Sequence, residues 1–168
     1  PAFIDYDGDG DYDLFISQNT SDNLVATIKL FENTGTTTSP EFILKENDFL
    51  GFSQSYYYNL KIQFADINRD TKIDLVFTGT SFQTGLTQLY YIPNQGSSQS
   101  DFSNQTVQPV NFTISSSENI LVTDVNKDGQ PDLLVGKTTG ALQYWQNSGP
   151  EGSLVFSLED ESFLELGS

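Results

Sequence analysis

Hydrophobic and polar positions along this chain come in short bursts, without helical periodicity. Three apolar runs each follow an acidic stretch: Asp13-Leu-Phe-Ile, Asp74-Leu-Val-Phe and Asp132-Leu-Leu-Val. Short runs rich in β-formers, bounded by Gly- and Asp-rich turns, predict buried strands. The pairs just ahead of each acidic stretch, Phe3-Ile4, Phe64-Ala65 and Leu121-Val122, predict the same. A third strand then ends in Asn-x-Gly, over Ile28–Gly35, Leu89–Gly96 and Leu142–Gly149. Asn-x-Gly is turn chemistry. Six or seven residues on, Phe42, Phe102 and Phe156 mark a fourth strand. On the third strands, Leu30, Tyr91 and Tyr144 share one face with Ile28, Leu89 and Leu142, while Phe31, Ile92 and Trp145 take the other. Apolar residues on both faces are expected of a sheet covered on both sides. Polar insertions are expected between strands two and three at Ser17–Ala26 and Thr80–Thr87, and a loop with a weak edge strand at Gln95–Val107.

The acidic stretches themselves repeat. They run Asp5–Asp13, Asp66–Asp74 and Asp124–Asp132, starting at intervals of 61 and 58 residues. All three share a nine-residue frame, with Asp at position 1, Asp or Asn at 3, Asp at 5 and Asp at 9. The side chains are Asp5, Asp7, Asp9 and Asp13, then Asp66, Asn68, Asp70 and Asp74, then Asp124, Asn126, Asp128 and Asp132. A hard cation such as Ca²⁺ takes six to eight oxygen ligands, and alternate residues of a curled loop can point oxygens inward. Position 7 (Asp11, Lys72, Gln130) varies, as expected if it supplies only its backbone carbonyl. Gly10 and Gly129 stand at position 6, where the chain turns sharply. The second loop has Thr71 there and Arg69 before it, so its site is expected to be the weakest of up to three. Without a cation, two carboxylates about 4 Å apart repel by roughly 4 kcal/mol at an effective dielectric near 20. Loop folding is therefore coupled to metal. An EF-hand is excluded, because its bidentate Glu at position 12 is replaced by Ile16, Phe77 and Val135.

This frame, followed by Asp-Leu and a strand and repeated at this interval, resembles the FG-GAP or VCBS repeats. These are the calcium-loop blades of integrin-α-like β-propellers. The resemblance spans the chain as three units, at about 1–59, 60–119 and 120–168. It implies an all-β fold of four-stranded antiparallel propeller blades with metal in the first hairpin of each. The residue at position 2 (Tyr6, Ile67, Val125) is expected to tuck under that hairpin. Closed propellers have four to eight blades, so three are expected to belong to a larger propeller. The remaining blades would lie in the same polypeptide or in another copy. The chain begins at Pro1, directly in a strand, and is expected to be a processed chain or a piece of a longer one.

Charge narrows the partners. The net charge is −16, from 23 acidic and 7 basic residues, and 11 of the acids lie in the loops. Three dications would bring it to −10, so about half of the acidity is a metal requirement. There is no basic patch for nucleic acid or an anionic membrane surface. No apolar run long enough to span a bilayer is present. The absence of Cys leaves the redox compartment open. Weak calcium loops suit the millimolar calcium outside cells, so a secreted or cell-surface location is expected.

The function expected is a non-enzymatic calcium-stabilised module for binding or adhesion, with a protein or glycan ligand. A lectin is the alternative, using Trp145 or Tyr56–Tyr58 as stacking groups, although Tyr56–Tyr58 read better as blade packing. A polysaccharide-degrading enzyme is the third reading. Without His or Cys there is no catalytic triad and no N/S zinc site. Glu32, Glu41, Glu118 and Glu151 show no motif spacing that would make a paired-carboxylate site. Asn-x-Ser/Thr sequons at Asn19, Asn104 and Asn111 carry little weight in so polar a chain.

Overall fold

The chain is all-β in a computed structural model that describes residues 1–19, 25–103, 106–150 and 152–165. Its strands form three four-stranded antiparallel sheets, each wound in sequence order. The first sheet holds β1 (Ala2–Ile4), β2 (Asp13–Asn19), β3 (Ala26–Asn33) and β4 (Phe42–Glu46). The second holds β5 (Tyr57–Ala65), β6 (Asp74–Ser81), β7 (Thr87–Ile92) and β8 (Gln108–Ile114). The third holds β9 (Asn119–Thr123), β10 (Asp132–Gly136), β11 (Leu142–Asn147) and β12 (Phe156–Asp160). These are three propeller-type blades, and no closed barrel is formed.

Register explains why the three units look alike. At the mouth of each acidic loop the same pairing recurs: Ile4 with Asp13, Ala65 with Asp74, and Thr123 with Asp132. Because side chains alternate across a strand, this one pairing fixes which residues face which neighbour. Strand β5 lies against β1 and β2 on one side and β9 on the other, so the blades stack face to face. Phe15, Ile28 and Leu30 of the first sheet meet Leu75, Phe77 and Ile92 of the second in one core. Val76 and Leu89 of the second meet Val122, Leu133 and Val135 of the third in another. Every residue of the middle strand β6 is buried. Burying one large side chain such as Phe15 or Phe77 contributes about 2–3 kcal/mol. The two faces expected for the third strands sort accordingly: Leu30 turns to the first core, Tyr91 to the second, Ile92 back to the first and Trp145 back to the second.

Several expectations need correction. Phe102 does not open a fourth strand. It follows Asn94 as Phe42 follows Asn33, but β8 begins only at Gln108, and Phe102 is buried against Tyr6, Phe49 and Phe64. The gap between the first two blades is filled by this ring, so the chain dips inward before it can pair. The polar insertions are also shorter than expected. Strand β2 reaches Asn19, while Thr80, Ser81 and Thr87 are buried strand residues, with Thr80 Oγ1 and Thr87 Oγ1 hydrogen bonded at 2.8 Å. The sequon Asn104, the acid Glu151 and residues 20–24 lie outside the described residues. A short 3-10 segment, Phe49–Gln54, carries Phe49 and Phe52 into the first core.

Candidate metal loops

Each acidic stretch sits between the first two strands of its blade, and the three close through one set of hydrogen bonds. Position 1 accepts from the loop backbone: Asp5 from Gly8 and Gly10 N–H, Asp66 from Asp70 and Thr71, Asp124 from Asp128 and Gly129. Position 3 accepts from the N–H of position 5, through Asp7, Asn68 and Asn126. Position 5 accepts from the N–H of position 7: Asp9 from Asp11, Asp70 from Lys72, Asp128 from Gln130. Short polar side chains that bond two residues onward build such turns. The backbone turns left-handed at positions 4 and 6 in all three: Gly8 and Gly10, Arg69 and Thr71, Lys127 and Gly129.

Position 9 does something the motif alone did not reveal. Asp13, Asp74 and Asp132 are buried. One carboxylate oxygen of each accepts from position 2 of its own loop, at Tyr6, Ile67 and Val125, over 3.0–3.3 Å. The other accepts from the third strand, at Asn33, Asn94 and Asn147, over 2.8–2.9 Å. Those asparagines extend the chain of bonds. Each Oδ1 accepts two further N–H groups, from Gly35 and Glu41, Gly96 and Asp101, or Gly149 and Val155. Sequence reasoning read Asn-x-Gly as a turn only. Its recurrence 15 or 20 residues after position 9 was the available signal. A carboxylate oxygen retains a second lone pair, so position 9 can brace the loop and still face a cation.

Electrostatics follow burial. Burial pushes the Asp74 carboxyl up to about 6, against the opposing pull of the Asn94 N–H. Burial raises Asp13 too, again opposed by backbone N–H bonds. In the third blade the Tyr144 hydroxyl donates to Asp132 Oδ2 at 3.1 Å, and burial with that carboxylate pushes the phenol up to about 12.

Loop one meets the requirement for a cation most fully. Asp5, Asp7 and Asp9 can each bring a carboxylate oxygen within 4.8 Å of the others. The second and third loops place an Asn at position 3, whose Nδ2 donates to position 5: Asn68 to Asp70 at 3.1 Å and Asn126 to Asp128 at 2.9 Å. The position-2 side chains tuck in unequally. Ile67 is fully buried, Tyr6 packs on Phe15, and Val125 is half-buried.

The remaining candidates are used structurally. Trp145 is not an exposed stacking group: it packs edge-on against Phe112 with ring centres 5.0 Å apart, and its Nε1 donates to Gln143. Tyr57 packs on Phe77 and Tyr90, Tyr58 on Phe82, and Tyr56 is exposed. Glu118 pairs with Lys137, and Glu32 with Lys45. Among the described residues no helix is long and apolar enough to cross a membrane.

The FG-GAP-like repeat family matches the chain twice, over residues 5–77 and 66–135. Each match begins at position 1 of an acidic loop, Asp5 or Asp66, and runs into the second blade or the third. No curated protein matches the chain.

Proposed function

The chain belongs to the FG-GAP-like repeat family, and from that premise we propose that it is a calcium-binding, non-enzymatic propeller module that serves binding or adhesion. Repeats of this family can bind Ca²⁺ and are typically non-catalytic. The observation that carries the reading is the Asp5, Asp7 and Asp9 cluster inside a loop whose backbone recurs three times. In loop one these three carboxylates would hold the ion, with the Asp11 carbonyl and Asp13 completing the set. In the others the holders would be Asp66, Asn68, Asp70, Lys72 carbonyl and Asp74, and Asp124, Asn126, Asp128, Gln130 carbonyl and Asp132. The ion would supply charge neutralisation and pin the hairpin at the blade's rim. Calcium at extracellular concentration suits such loops, which supports a secreted or cell-surface setting. The acidic surface supports a protein or glycan partner over nucleic acid.

The test is calorimetric titration of chelated protein with Ca²⁺, paired with thermal melts. Saturable binding at one to three sites with a raised Tm is expected. Absence of both heat and shift would remove the calcium reading while leaving the fold untouched.

A further inference from the structure

Position 4 of the loops has a consistent direction. Arg69, at position 4 of loop two, reaches across to the third blade, where its Nη1 donates to Gln130 Oε1 at 3.4 Å. Gln130 is position 7 of loop three. Position 4 of one blade therefore faces position 7 of the next. Lys127 holds position 4 on the third blade and is exposed. Position 7 of the first blade is Asp11, which is only 8% exposed, and its Oδ1 has no hydrogen-bond partner. Asp11 lines a cavity of about 550 Å³ walled by Phe3, Tyr12, Pro40 and Phe42. A buried carboxylate oxygen without a donor is costly, and a cation beside aromatic rings is the partner such a site fits.

The blade faces tell the same story. Phe42, Phe102 and Phe156 hold one structural place, just after the residue whose N–H bonds the Asn33, Asn94 or Asn147 side chain. Phe102 is covered by the first blade and Phe156 packs on Phe112 of the second. Phe42 is 39% exposed, beside Phe3 at 54%. The first blade thus bares what a preceding blade covers in the other two. The third blade bares the opposite half, including Leu121. It also repeats the segment that seals the first interface. Phe163-Leu164 follows β12 as Phe49-Leu50 follows β4, with Leu164 and Leu50 both left-handed. Phe49 is enclosed between Phe15 and Phe102, whereas Phe163 has Tyr144 on its own blade.

We propose that a second copy of this chain docks head to tail, its first blade on the third blade of its partner, with Lys127 of one copy reaching Asp11 of the other. The contact repeats the interface between the second and third blades, with an ion pair in place of Arg69 and Gln130. Head-to-tail contacts form rings when the rotation closes. Two copies give six blades, within the range of closed propellers, so the assembly is a dimer that buries both open faces of each chain.

Sedimentation velocity in calcium buffer tests this. The chain is expected to sediment as a dimer, and both Lys127→Glu and Asp11→Lys are expected to weaken it by at least about tenfold. The double charge swap is expected to restore it. Lys127 is exposed on a loop that already tolerates a non-glycine residue, so K127E keeps the test valid even if Asp11→Lys does not fold. A monomeric wild-type chain overturns the proposal, as does a dimer insensitive to K127E or a well-folded double swap no better than the single variants.

Discussion

Loops one and two close on the same backbone with different residues. Loop one has Gly8 and Gly10 at the two left-handed positions, and loop two has Arg69 and Thr71 there, at φ +67° and +71°. A β-branched residue at positive φ is strained by about 1–3 kcal/mol. Loop two nevertheless forms the hydrogen bonds of position 9 over the same span. The frame is therefore imposed by the carboxylates, and glycine only relieves it. The loops differ instead in ligand charge. Loop one holds five acids and loop two three, and fewer charged ligands mean weaker calcium binding.

The largest way to break this comparison is to remove the shared brace. Asp13→Ala and Asp74→Ala each leave two backbone N–H groups without acceptors, at about 1–3 kcal/mol apiece. Each variant is expected to lose about 3 kcal/mol in denaturant unfolding, with the two losses alike. A cheap loss at Asp13 and a severe one at Asp74 would mean that glycine, not the carboxylate, shapes loop one.

A pH series on the chelated protein comes next. The Asp74 carboxyl is raised to about 6, and Asp13 shifts the same way. Between the unfolded carboxylate range and that value the folded chain binds more protons than the unfolded one. Stability is therefore expected to be highest below about pH 4 from these groups and to fall as pH rises through 6. With calcium present the trend reverses, because protons compete with the ion. Melting curves that are flat from pH 4 to 7 in chelator would show that burial does not perturb these groups.

The smallest effect sharpens the comparison most. Thr71→Gly is expected to stabilise loop two by up to about 1 kcal/mol, and Gly10→Thr to destabilise loop one by a similar amount, since a Cβ at Gly10 meets nothing within 4 Å. Gly8 differs from both. A Cβ there would lie 2.3 Å from Ser98 O, where the second blade's loop packs on the first blade and Ser100 N–H donates to Tyr6 O. Equal melting temperatures for Gly8→Ala and Gly10→Ala would deny that clamp.

Much of this was legible in the chain. The loops, the strand pairs around them and the two faces of the third strands follow from bonds between residues at most about twenty apart, and such bonds leave spacing in the sequence. Asp13 and Asn33 are one example. The inward dip of Phe102, the enclosure of Trp145 and the insertion of Phe49 left no such spacing. Each is decided by the space between two blades, across partners 40 or more residues away, such as Phe102 with Tyr6 and Phe49 with Phe102.

The sequence by itself determined the repeated unit: an acidic frame, four strands, and an asparagine that ties them. Its chemistry is local, because carboxylates fold the backbone they belong to. Only the tertiary structure decided direction, meaning which face of each blade meets the next and which positions look across the gap. The physical reason is that a strand's alternation sorts its side chains into two sets without saying what covers either. Arg69 shows its role only when the third blade brings Gln130 within reach, and Asp11 shows its lack of a partner only once its oxygen is buried.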